Sequence, residues 1–312
     1  MQFFNALQGI FTIMIMVSVG FILMRRGWFG SEAINLIPKM VNVIAIPTYM
    51  VWNLMTTFDH DSFGLLVKAA IVPTVSMLLC YAIAYVVAEL MKLPRSKKGI
   101  FRSAFFSSSA IFVGIPINLA LFGESSIPYV LVYFLPNAFL FWTIGNYSIS
   151  LAGTDGVSAK IMSMDTVRKV FSPPLISFII AIILILLNIK LPTFLMNTLK
   201  YLGGLMTPLS MLFVGMAMSS VNFKKFRLTK DIVGVLIGRF IVAPALVYFL
   251  SFYMEMPDLM RKVFIIQAAL PAMTQTSLMA KVYGADAEYG ALLVSTTTIA
   301  SMITIPLYML IL

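Results

Sequence analysis

The sequence predicts an all-α polytopic membrane protein: ten transmembrane helices in an inverted 5+5 repeat. Three observations predict it. First, 60% of the 312 residues are hydrophobic and only 11% are charged, whereas a soluble domain carries about 25% charged residues. A chain this poor in charge cannot cover a water-facing surface of its own size, so lipid must be much of its solvent. Second, ten apolar runs reach the roughly 20 residues that a helix needs to cross a bilayer. Third, Lys and Arg fall almost wholly on alternate loops, the pattern that sets membrane orientation.

The ten spans cover roughly residues 4–24, 34–57, 63–90, 100–122, 126–151, 174–190, 194–220, 231–254, 262–283 and 287–311. The first has no basic segment before it and no small-residue cleavage site after it, and reads as a retained helix. The loops are short except for 152–172, which mixes Gly, Ser and charges. This cytoplasmic linker divides the chain into a first five-helix repeat, 1–151, and a second, 173–312. The loops after spans 1, 3, 5, 7 and 9 hold fifteen cations, from Arg25 and Arg26 to Lys281; the opposite loops hold three, Lys190, Arg261 and Lys262. The odd loops are therefore expected in the cytoplasm, with both termini extracellular or periplasmic, in the cell (inner) membrane. The net charge of +10 is gathered into short clusters suited to anionic lipid rather than to nucleic acid.

Five spans is an odd number, so a second copy must be inserted upside down. Lys39 and Pro47 recur as Lys200 and Pro208, and Phe122-Gly123 recurs as Tyr283-Gly284, all at an offset of 161 residues. Lys68 and Pro73 recur as Arg239 and Pro244 at an offset of 171. The same offset of 161 pairs Asn137 with Thr298, within the run Ser295–Thr298 of span 10.

Function is sought where the bilayer makes irregular backbone costly. Pro116 in span 4 and Pro271 in span 9 interrupt matching members of the two halves, and both are expected to break their helices. Around them stand Ser109, Gly114 and Asn118 in span 4, and Thr274 and Gln275 in span 9. Broken helices aim N–H groups and half-helix dipoles at a bound anion. Asn137 in span 5 is a mid-membrane amide that needs a partner. Lys39, Lys68 and Lys200 lie near helix ends, where a long stem reaches the headgroups. Arg239 lies deeper, either meeting the substrate or bonding carbonyls freed by a broken helix. All twelve Asp and Glu lie in loops or near helix ends, so cations and amides, not carboxylates, occupy the midplane, which favours an anionic substrate.

One cysteine, Cys80, excludes an intramolecular disulfide, and one histidine, His60, without a Cys/His cluster argues against a metal site. No phosphate-cradling loop or nucleophile elbow is present, so neither an enzyme nor a cofactor is expected.

Gly114-Ile115-Pro116 followed by Leu121-Phe122-Gly123, Ala269-Leu270-Pro271 followed by Ala280-Lys281-Val282-Tyr283-Gly284, and Arg239 followed by Pro244 together resemble the auxin efflux carrier family, which includes bacterial malate and malonate permeases. The resemblance covers essentially the whole chain. It implies the fold of sodium/bile-acid symporters, with crossed broken helices 4 and 9. It implies a scaffold of helices 1, 2, 6 and 7, a mobile transport part of helices 3–5 and 8–10, and a homodimer built through the scaffold. Ser109 and Gln275 stand where the family often has Asn.

The expected function is secondary transport of small organic anions, carboxylates such as malate, malonate or auxin-like acids, by alternating access, with a proton or sodium ion as possible coupling partner. Ser109, Gly114, Pro116, Asn118, Asn137, Arg239, Pro271, Thr274 and Gln275 are the expected substrate-binding residues. Two other readings fit the same spans: a sodium-coupled symporter of amphipathic anions, and a non-transporting membrane sensor or interaction subunit.

Overall fold

A computed structural model describes residues 2–30, 32–57, 68–153, 171–219 and 228–312. The described residues form helices throughout, and one isolated antiparallel bridge joins Ser108 to Ala272. In order, the helices are α1 Gln2–Arg25, α2 Ala33–Thr57, α3 Ile71–Leu90, α4 Arg95–Phe106, α5 Gly114–Phe122, α6 Glu124–Ala152, α7 Pro173–Leu186, α8 Thr193–Ser219, α9 Lys230–Tyr253, α10 Asp258–Ala268, α11 Gln275–Val282 and α12 Ala287–Ile311. Six of them, α2, α3, α6, α8, α9 and α12, are long and apolar enough to cross a membrane, and Phe11–Arg25 of α1 and Pro173–Leu186 of α7 are shorter apolar helices. The chain is a polytopic, all-helical membrane protein. Most of the linker expected at 152–172 lies at 154–170, outside the described residues.

Local chemistry sets the helix ends. α4, α8 and α10 each begin directly after a proline, Pro94, Pro192 and Pro257, whose φ of −58°, −57° and −56° leads into the first turn. In the stretches expected as spans 4 and 9 the helices accordingly start earlier than hydropathy indicated, at Arg95 and Asp258 instead of 100 and 262, because the charged first turn is helical yet not apolar. α5 and α11 stop at Gly123 (φ +73°) and Gly284 (φ +65°), the left-handed backbone that ends a helix most cheaply with glycine. π-helical turns widen α2 at Val41–Ala45, α6 at Phe141–Gly145 and α9 at Gly238–Val242. In α9 the turn precedes Pro244, which cannot donate to the Phe240 carbonyl one turn back. The Tyr308 hydroxyl of α12 donates to that carbonyl instead, at 2.6 Å.

The chain forms two compact units, each of three segments. The first takes 1–68, 111–131 and 171–220, and so holds α1, α2, α5, α7 and α8. Its helices approach through glycines: a Cβ on Gly215 of α8 would run into the Val17 carbonyl of α1, one on Gly20 of α1 into the Leu212 backbone, and one on Gly203 would lie 2.7 Å from the Tyr49 Cα. The exposed positions of Lys39 and Lys200 in this unit, and of Lys68 at its boundary, suit ammonium groups that reach for water.

The second unit takes 69–110, 132–170 and 221–312. Here α4 lies against α6 with Gly99 on the Ser148 backbone. The Ser103 hydroxyl donates to the Gly145 carbonyl at 2.9 Å, and Arg95 Nε donates to the Leu151 carbonyl at 3.1 Å. At the same end Glu89 of α3 accepts from Lys98 at 2.6 Å and from Arg102 at 2.7 Å.

Candidate functional site

The stretches expected as spans 4 and 9 are each two short helices separated by non-helical backbone: residues 107–113 between α4 and α5, and residues 269–274 between α10 and α11. Pro271 lies inside its break as expected. Pro116 does not: it occupies the first turn of α5, which starts at Gly114. This corrects the expectation that Pro116 breaks span 4. A first-turn proline lacks only an N–H that would be unpaired anyway, so the break lies on the N-terminal side of the proline.

Within the second unit the two breaks meet. Ser108 and Ala272 form the antiparallel bridge, and the Ser109 N–H donates to the Pro271 carbonyl at 2.9 Å. The Gln267 amide nitrogen reaches across to the Ala110 carbonyl at 3.2 Å. Asn137 finds its partner here: its carboxamide donates to the Ser108 carbonyl and accepts from the Ser108 N–H, both at 2.9 Å. On the other break the Ala272 N–H donates to Thr297 Oγ1 at 3.1 Å. Thr297, not Thr298, therefore matches Asn137; the Thr298 hydroxyl turns back to its own Val294 carbonyl at 2.7 Å.

Arg239 is fully buried. Its guanidinium donates from Nη1 to the Phe105 carbonyl at 3.3 Å and from Nη2 to the Ala268 carbonyl at 2.8 Å. Nε and Nη2 both reach the Leu270 carbonyl, at 3.1 and 2.9 Å. The Phe105 and Ala268 carbonyls lie at the ends of α4 and α10, where a helix leaves its last C=O groups unpaired and its dipole negative. Of the two roles the sequence left open, the geometry is that of holding broken helices, with one cation joining both C-terminal ends. No carboxylate pairs with it among the described residues.

The remaining expected residues divide between the units. Gly114, Pro116 and Asn118 belong to the first. There the Asn118 amide donates to the Gly114 carbonyl of its own helix at 2.8 Å. Thr274 and Gln275 belong to the second unit and stand at the start of α11, the former exposed and the latter half-exposed. Sequence reasoning missed Ser108, Gln267 and Thr297. Ser108 adjoined a chosen residue, Thr297 lay one position from the residue picked by offset, and Gln267 is a buried amide in an otherwise apolar turn, a signal open to inspection.

Among the described residues no group of three or more His, Cys, Asp or Glu is placed to hold a metal ion.

The sequence profile of the membrane transport protein family matches residues 5–309. The chain belongs to that family. It is the auxin efflux carrier-like family to which the motifs pointed. The transporter is 24% identical over 314 residues to an uncharacterized transporter of Methanothermobacter thermautotrophicus, covering 100% of both chains. It is 26% identical over 300 residues to an uncharacterized transporter of Methanocaldococcus jannaschii, covering 95% of both.

Proposed function

We propose that the transporter moves small organic anions, carboxylates of the malate and malonate class, by alternating access. The observation that carries this reading is the placement of Arg239. A break in a helix creates a negative C-terminal end and a positive N-terminal end side by side, worth about half a charge each, and by themselves they cancel. Arg239 neutralises the C-terminal ends of both α4 and α10. α11, in the same unit as Arg239, has no acidic residue in its first turn, so its positive N-terminal end favours an anion. The buried Gln267 Oε1 and Thr276 Oγ1, which have no protein partner among the described residues, add polar groups for a solute that must shed its water.

In this reading spans 4 and 9 each cross the membrane as two half-helices, giving ten spans in an inverted 5+5 repeat. The helix bounds support it: α5 begins at Gly114 and α11 at Gln275, and Gly123 and Gly284 end them with positive φ, both pairs 161 residues apart. The first unit, built on spans 1, 2, 6 and 7, would be the scaffold and the dimer-forming part, and the second would carry the substrate.

Two measurements test this. Proteoliposomes should take up labelled malate or malonate, with the rate responding to a pH or sodium gradient; failure of a panel of mono- and dicarboxylates, alongside uptake of cations or neutral solutes, rejects the anion assignment. In a Cys80→Ala background, cysteine at Glu124 should react with an impermeant thiol reagent from outside the cell, and cysteine at Ser96 only after the membrane is opened. The reverse pattern rejects the orientation.

A further inference from the structure

The pairing of Ser108 with Ala272 is of the antiparallel type in which the inner bond runs between the flanking residues, here from the Ser109 N–H to the Pro271 carbonyl. In that type the facing residues turn their own N–H and C=O groups outward, where a sheet would supply the next strand. This bridge has one residue pair, and even an isolated two-stranded hairpin is marginal. Its outer edges are met by side chains. Asn137 offers the Ser108 peptide a donor and an acceptor at 2.9 Å each, as a neighbouring strand would. Thr297 accepts from the Ala272 N–H at 3.1 Å while donating to its own Leu293 carbonyl at 2.8 Å. Both side chains are fully buried, and each comes from the helix that follows its broken span, Asn137 from α6 and Thr297 from α12.

We infer that Asn137 and Thr297 are a matched pair of positioning residues, standing in for the two missing outer strands and fixing the plane of the bridge. That plane sets the course of the backbone within this unit, through 107–110 and 269–274. Asn137 therefore acts on transport through the Ser108 peptide, not by touching the solute. The pair is unequal: two bonds hold Ser108, and one hydroxyl meets the Ala272 N–H. This inference rests on the transport reading for its functional consequence and on geometry alone for its structural one.

The test uses the full chain and reads both. Thr297→Val keeps shape and removes the hydroxyl; Thr297→Ser keeps the hydroxyl. Hydrogen exchange of the purified protein should quicken across 269–274 in Thr297→Val, with 95–106 unchanged, and return to the parent rate in Thr297→Ser. Asn137→Ala should do the same across 107–113. In proteoliposomes given labelled malate or malonate, Thr297→Val should raise the half-saturating concentration about fivefold, as loss of one hydrogen bond implies, and Asn137→Ala should raise it further, with Thr297→Ser matching the parent. Parent-like exchange and uptake in Thr297→Val overturn the inference, as does a Thr297→Ser that is as impaired as Thr297→Val. If Asn137→Ala does not fold, the two Thr297 variants decide. If exchange shifts as expected but the parent takes up neither acid, the carboxylate assignment falls and the positioning role stands.

Discussion

The two units of this transporter hold their helices together by different means. In the first, backbone meets backbone over glycines: Gly215 on Val17, Gly20 on Leu212, Gly203 on Tyr49. The second packs over glycine as well, Gly99 on Ser148, but there side chains also reach for backbone across the unit: Arg239 to three carbonyls, Asn137 and Thr297 to the two breaks, Gln267 to Ala110, Tyr308 to Phe240. The difference follows from continuity. Intact helices satisfy their own peptide groups, so in lipid, where apolar contact brings little net gain over tails, close approach over small residues is what holds them. Broken helices leave peptide groups unsatisfied, and each needs a polar side chain or it costs several kcal/mol. The polar inventory of the second unit is thus a consequence of its breaks.

The largest test of that comparison is Arg239→Gln, which removes the donor from three buried carbonyls and the charge opposite two helix C-termini. Uptake at equal expression should fall about a hundredfold, equivalent to ~2.7 kcal/mol, with a lower melting temperature in detergent. Arg239→Lys should recover only part of it, because an ammonium lacks the planar fork that spans several carbonyls. Normal uptake by Arg239→Gln would show that the breaks hold without their cation.

Next in size is Gly215→Val in the first unit, which forces α1 and α8 apart. Overpacking of this kind costs about 1–3 kcal/mol. It should appear as lost thermal stability, with uptake per folded molecule unchanged. If uptake per folded molecule falls as far as in Arg239→Gln, the contrast between a glycine-packed unit and a polar-linked one does not hold.

The smallest effect belongs to Glu89→Gln. Glu89 accepts from both Lys98 and Arg102, but its side chain is 44% exposed, and ion pairs in contact with water add little. Stability should fall slightly at low ionic strength, the difference should vanish in high salt, and uptake should match the parent. A large loss in high salt would mean that this pair, like Arg239, answers an unsatisfied backbone.

Legibility in the sequence varied with how local each property is. The apolar runs marked α2, α3, α6, α8, α9 and α12 as spanning helices, since a bilayer reads little more than length and charge. Pro271 and the glycines at 123 and 284 marked real interruptions because their backbone preferences act at their own positions. Pro116 misled because proline is tolerated at a helix start as well as at a break, and which applies depends on whether the preceding turn has other partners. The offset of 161 falls on Thr298, one position from Thr297, because helix rotation decides which hydroxyl faces the bridge and which turns back to its own helix.

By itself, then, the sequence determined the solvent, the helical class, the position of the polar residues along the chain and the family. Only the tertiary structure decided what those polar residues bond. The sequence left Arg239 a solute or a carbonyl to meet, and the packing brings Phe105, Ala268 and Leu270, distant in sequence, within hydrogen-bond reach of its guanidinium. Asn137 has an amide that could face any polar group, and the packing gives one donor and one acceptor of it to the Ser108 peptide. The physical reason is the same in each case. Hydrophobic burial in a membrane sums over a local run of residues, whereas a hydrogen bond depends on distance and angle between groups that only the packed helices bring together.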